Sequence, residues 1–76
     1  MTAVVYSTPS CPYCNMAKDY FKANNVDFVD YNVVQDYDKA EEMVKKSGQM
    51  GVPVIDLNGT IIVGFDKAKI NAILGL

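Results

Sequence analysis

A chain of 76 residues, half of them hydrophobic and 21% charged, has the size and composition of one folded domain spanning residues 1–76, neither disordered nor membrane-spanning. Seven basic residues against nine acidic ones leave a formal net charge of −2, which argues against the basic face of a nucleic-acid binder. The opening MTAVVY has no charged n-region and only a short apolar run, unlike a signal peptide. No apolar stretch approaches membrane-helix length. The expected location is the cytoplasm, where thiols stay reduced.

AVVYS, residues 3–7, is β-branched and aromatic and reads as a buried strand. After TPSCP, the residues Tyr13, Met16, Ala17, Tyr20 and Phe21 fall on one helical stripe, and Asn24 and Asn25 suit its exit. VDFVDYNV, residues 26–33, predicts a second strand, so the first thirty or so residues predict a right-handed parallel βαβ unit. Asp38 with Glu41 three residues later predicts a capped helix start, with Ala40, Met43, Val44 and Ser47 on the buried side and Gly48 as the stop. PVIDL and TIIVG flank Asn58-Gly59, a type I′ hairpin signal. Asp66 is placed to cap a last helix carrying Ile70, Ile73 and Leu74. The predicted order is β-α-β-α-β-β-α, an α/β fold with one four-stranded mixed sheet flanked by three helices.

Chemistry concentrates in STPSCPYCNMAK, residues 7–18, which holds the chain's two cysteines, Cys11 and Cys14. Two thiols at this spacing supply half a zinc site, but zinc wants four ligands and the chain has no histidine and no further cysteine. A structural disulfide here closes a tiny loop, where the entropic gain is smallest. Inert core cysteines fit poorly with a place between a strand and a helix start. A redox pair fits the local physics. Pro12 at the first helical position makes Cys11 the N-cap. The free N–H groups of the first turn, near Tyr13 and Cys14, then face the Cys11 sulfur and favour its thiolate. Cys11 is therefore expected to attack, and Cys14, shielded by the helix, to resolve the mixed disulfide.

Lowering a thiol pKa from about 8.5 to about 5.5 favours thiolate by roughly 4 kcal/mol. The thiolate fraction at neutral pH rises about thirtyfold, and intrinsic nucleophilicity falls by about as much. The surviving benefit is a better leaving group in the exchange steps where Cys11 is the sulfur displaced. Lys18, four residues after Cys14, has two readings: an ammonium favouring the Cys14 thiolate, or a solvated surface lysine.

With these residues in view, the chain resembles a glutaredoxin of the thioredoxin-fold superfamily. Cys11-Pro12-Tyr13-Cys14 matches that family's CPYC motif. Gly51-Val52-Pro53 corresponds to its Thr-Val-Pro, whose proline is cis, and Val63-Gly64-Phe65-Asp66 to its Gly-Gly-x-Asp. The likeness runs over essentially the whole chain. It implies a thioredoxin fold and a thiol–disulfide oxidoreductase acting on protein disulfides or glutathione mixed disulfides. It also implies that Val52 offers its backbone to an extended substrate, and that Gly64, Phe65 and Asp66 hold the γ-glutamyl end of glutathione. The implied contact set is Thr8, Pro12, Tyr13, Val52, Pro53, Gly64, Phe65 and Asp66.

Three positions depart from the pattern. Thr8 stands where glutathione-using members usually carry a lysine, Gly51 where they carry Thr, and Val63 where they carry the first Gly. These departures thin out the glutathione site. The family likeness leaves two alternatives: Gly64-Phe65 after the last strand is similar to that of the small redoxins that feed ribonucleotide reductase and are reduced by thioredoxin reductase, and some glutaredoxins dimerise around an iron–sulfur cluster, against which Pro12 stiffens the loop. The expectation is a monomer with no bound cofactor or metal, and with no nucleic-acid or membrane partner. Its electron source is glutathione as co-substrate or a thioredoxin-reductase-like donor, and its substrates are disulfide-bearing proteins.

Overall fold

A computed structural model describes residues 2–76. The elements run β1 (Thr2–Ser7), α1 (Pro12–Ala23), β2 (Asp27–Asn32), α2 (Tyr37–Ser47), β3 (Val54–Leu57), β4 (Thr60–Val63) and α3 (Lys67–Leu74). This is the predicted order. The sheet order is β2-β1-β3-β4. β1 pairs with β2 in parallel and with β3 antiparallel, and β3 pairs with β4 antiparallel.

Strand alternation sends successive side chains to opposite faces and so divides the core in two. Ala3 and Val5 of β1, Ile55 and Leu57 of β3 and Ile62 of β4 pack with Ala17 and Phe21 of α1 and Ile70 of α3. On the other face Tyr6 and Val54 pack with Met43, the one buried residue of α2. One face thus carries α1 and α3, and the other carries α2 alone.

Polar contacts supplement that single buried methionine. The fully buried Tyr6 donates its hydroxyl to Glu42, and Lys46 Nζ reaches Tyr6 Oη at 3.0 Å and Asp56 Oδ2 at 2.8 Å. Burial, then the Glu42 bond, raises the Tyr6 pKa. The Lys46 ammonium holds the Asp56 carboxyl below its ordinary range.

The turns follow sequence chemistry. Asn58 and Gly59 both take positive φ, 54° and 92°, as a type I′ hairpin requires. Gly48 ends α2 in the left-handed region, and Asn24 caps the end of α1.

Three expectations are corrected. α2 begins two residues early, because Asp36 rather than Asp38 is the N-cap and accepts the Lys39 N–H at 3.2 Å. Asn32 folds the chain back sooner: its side chain takes the Val34 N–H and its carbonyl takes those of Gln35 and Asp36. Asp38 then lies in the first turn, where its charge faces the positive end of the dipole. The buried stripe of α1 is Cys14, Ala17 and Phe21, while Tyr13 and Met16 are exposed. Cys14, not an aromatic, turns inward at the first position of that stripe. Val44 of α2 is also exposed, since only Met43 reaches the sheet.

Candidate active site

The site is assembled at one end of the sheet. β1 ends at Ser7, and Tyr6 pairs with Val54 of β3. Val54 in turn pairs with Val63 of β4. The residues just beyond these ladders therefore emerge together: Thr8 to Cys11 after β1, Val52 and Pro53 before β3, and Gly64 to Asp66 after β4. A 2.8 Å bond from the Gly64 N–H to the Pro53 carbonyl ties two of these segments. The register thus brings to one edge three motifs separated by about fifty residues of chain.

Pro12 opens α1 and leaves Cys11 as its N-cap in extended conformation, with φ −98° and ψ 108°. The Cys11 N–H donates to the Thr8 carbonyl at 3.3 Å, which closes the loop. Cys11 Sγ accepts the Cys14 N–H at 3.1 Å. One N–H reaches the sulfur, that of Cys14 and not that of Tyr13, because the N3 amide is the one an N-cap side chain meets. The two cysteines are paired as a disulfide, their Cα atoms 5.2 Å apart. Cys14 is completely buried, and Cys11 retains 9% of its surface. Cys11 thus keeps a little exposed surface and Cys14 none.

The Val52–Pro53 peptide bond is cis, as the resemblance implied. Pro53 is buried. The Val52 N–H and C=O make no hydrogen bond to any described residue. Gly64 has φ 80°, a conformation suited to glycine, but its N–H is already held by Pro53. The free donors at this corner are the N–H groups of Phe65 and Asp66, at the start of α3. The Phe65 ring is partly buried and packs edge-on against Tyr20 with centroids 5.8 Å apart. Asp66 caps α3 through the Lys69 N–H at 3.2 Å, using Oδ1. Tyr13 is 63% exposed beside Cys11.

Lys18 is neither free nor merely solvated. Its ammonium sits 2.9 Å from Asp30 Oδ2, and the other oxygen of Asp30 accepts the Ser7 hydroxyl at 2.6 Å. Sequence reasoning passed over Ser7 and Asp30. The signal was present, because residues 3, 5 and 7 share one face of β1 and a serine ends an otherwise apolar row. Hollows of about 520, 400 and 530 Å³ border β2 and α2, and none is lined by either cysteine. Among the described residues no cluster of three or more His, Cys, Asp or Glu suits a metal ion, and no helix is long and apolar enough to cross a membrane.

Comparison with known proteins adds to this geometry. The glutaredoxin family model matches residues 3–62. A glutaredoxin-like 8.6 kDa protein in a rubredoxin operon of Clostridium pasteurianum is 53% identical over 70 residues, covering 92% of this chain and 93% of that protein. Glutaredoxin 3 of Escherichia coli is 36% identical over 62 residues, covering 82% of this chain and 75% of that protein. The glutaredoxin-like NrdH-redoxin of Escherichia coli, whose structure is described in terms of a thioredoxin-like activity profile, superposes with a TM-score of 0.84 at 25% identity, covering 95% of this chain and 93% of that one. By sequence, by topology and by its paired Cys11 and Cys14, the chain belongs to the glutaredoxin family of thiol–disulfide oxidoreductases.

Proposed function

We propose that the protein reduces disulfides by a dithiol cycle in which Cys11 attacks and Cys14 resolves. The observation that carries this reading is the contrast between the two cysteines: Cys11, the N-cap of α1, keeps 9% of its surface and its sulfur accepts the Cys14 N–H at 3.1 Å, while Cys14 has no exposed surface. In the reduced protein the Cys11 thiolate attacks one sulfur of the substrate disulfide, and the other sulfur leaves as a thiol. The mixed disulfide is then opened by the Cys14 thiolate. The Cys11–Cys14 bond forms and the second substrate thiol departs. Two electrons and two protons pass to the substrate in all. The helix N-terminus serves Cys11 twice, first holding it as thiolate and then easing its departure from later disulfides.

The substrate backbone aligns with the unpaired N–H and C=O of Val52 beside Pro53. With glutathione as co-substrate, the Phe65 and Asp66 N–H groups receive the γ-glutamyl carboxylate and the Asp66 carboxylate the amine. Thr8 leaves that ligand's other carboxylate without a cation. A second reading, a redoxin reduced by a thioredoxin-reductase-like enzyme, draws support from Thr8 and from the likeness to the Escherichia coli redoxin.

Cys11→Ser is expected to abolish disulfide reduction, and wild-type turnover in that variant would overturn the scheme. Cys14→Ser is expected to trap a mixed disulfide, visible as an added mass. NADPH oxidation followed in two cuvettes, one with glutathione and its reductase and one with thioredoxin reductase, assigns the electron source. Turnover with glutathione selects the first reading, and turnover only with thioredoxin reductase selects the second.

A further inference from the structure

Ser7 is the one buried side chain of polar or charged type among the described residues, 3% exposed. It lies on the α1 side of the sheet, in line with Ala3 and Val5. Its hydroxyl donates to Asp30 Oδ1 at 2.6 Å, and Lys18 Nζ closes the row at 2.9 Å on Oδ2. Lys18 follows Cys14 by one helical turn, so their Cβ atoms are about 5–6 Å apart on one helix face. Cys14 itself is wholly buried, whereas Asp30 is exposed and the Lys18 and Asp30 side chains keep 20% and 36% of their surface, so solvent screens part of their field at the thiol.

We propose that Ser7, Asp30 and Lys18 form a positioning network that sets how readily Cys14 gives up its proton in the resolving step. The inference rests on the reading of Cys14 as the resolving thiol. Ser7 and Lys18 fix both carboxylate oxygens of Asp30, so one negative and one positive charge stand side by side, one helical turn along α1 from Cys14, and largely offset each other. The other ionisable groups on the packed elements are engaged elsewhere or face solvent. Tyr20 of α1 bonds Asn71 and lies under Lys67 of α3. Asp56 of β3 pairs with Lys46 on the opposite face. Asp66 caps α3. Asp19, Lys22, Asp27 and Lys69 are exposed.

The step itself is balanced. The Cys14 thiol releases its proton to water, and its sulfur bonds Cys11 Sγ as the Cys11–substrate bond breaks. The departing thiolate then takes up a proton.

A matched pair makes a signed prediction. Lys18→Gln leaves the Asp30 charge alone and makes Cys14 harder to deprotonate. Asp30→Asn leaves the ammonium alone and makes it easier, while the amide oxygen still accepts the Ser7 hydroxyl. The readout is stopped-flow release of thionitrobenzoate from the reduced protein mixed with dithiobis-nitrobenzoate across a pH series. The first release reports Cys11 and the second reports Cys14. The midpoint of the second phase is expected to rise in Lys18→Gln and fall in Asp30→Asn. Lys18→Arg and the double variant should return it near wild type. A rise of one pH unit lowers the thiolate fraction about tenfold and raises intrinsic nucleophilicity about threefold, so resolution below the midpoint slows about threefold. A merely structural pair would move both single variants the same way or leave both midpoints in place, and either result overturns the proposal. Should Lys18→Gln fail to fold, Asp30→Asn alone still carries the sign. Persistence of the second phase in Cys14→Ser would instead overturn the reading of Cys14 as resolver.

Discussion

Thr8 is the residue where this chain departs most usefully from its family. Its carbonyl closes the active loop on the Cys11 N–H, a backbone role that tolerates exchange of the side chain. Thr8→Lys adds a cation where glutathione presents a carboxylate. An exposed charge-assisted contact contributes up to about 1 kcal/mol, so KM for a glutathione mixed disulfide should fall up to about fivefold. Steady-state kinetics check it, and an unchanged KM would show that glutathione does not lie across Thr8. At this scale much of the site was legible. Cys11, Pro12, Cys14, Pro53 and the Asp66 cap stood in the sequence with their local chemistry. The shielding of Cys14 was legible from its place in the first helical turn, whereas the outward turn of Tyr13 was not, because Tyr13 fitted the apolar stripe as well as Ala17 and Phe21 did. The partner of Lys18 was hidden for a different reason, since Asp30 lies twelve residues away on another element.

At the scale of the element, α2 and α3 show two ways of holding a short helix. The eight residues of α3 are seated by Ile70 and capped by Asp66. Asp66→Ser keeps a capping oxygen and removes the charge. It should cost at most a few tenths of a kcal/mol in urea unfolding, against about 1 kcal/mol for Asp66→Ala. If Asp66 also holds the glutathione amine, both variants raise KM for a glutathione mixed disulfide. A KM change in Asp66→Ala without one in Asp66→Ser would confine the residue to capping.

α2 depends on Lys46, Glu42 and their partners across the sheet. Asp56 has its carboxyl pKa depressed chiefly by the Lys46 bond, so the carboxylate favours the folded state above its unfolded pKa of about 3.9. That contribution fades as pH falls from this value through the lower folded one. Asp56→Asn should therefore be less stable than wild type by about 1 kcal/mol at neutral pH, with the gap closing in strong acid. Urea midpoints at the two pH values measure it, and a gap independent of pH would mean that the charge plays no part. The order and type of all seven elements were legible from turn residues and β-branched runs. The start of α2 was not, because Asp36 and Asp38 are equally good caps and the choice was made by Asn32, outside the helix.

On the scale of the whole molecule, a radius of gyration of 11.3 Å is what a compact chain of this length should have, about 11 Å. The core under α1 and α3 carries most of the apolar burial, and Phe21 is its largest fully buried hydrocarbon side chain. Phe21→Ala should cost about 3–5 kcal/mol. A domain of this size has about 4–11 kcal/mol in total, so the variant sits near its unfolding threshold. A urea midpoint within error of wild type would contradict the packing described. The sheet order β2-β1-β3-β4 has a further consequence. The two thiols lie in the first fifth of the chain, whereas Val52, Pro53 and Asp66 arrive from its second half through strands laid against β1. A fragment ending at Ser47 holds both sulfurs and, of the proposed contact residues, only Thr8, Pro12 and Tyr13. On the proposed function, reactivity is thus local and early while most of the substrate contact is collective and late, so an incompletely folded chain would carry the dithiol before the greater part of the surface that selects its partners.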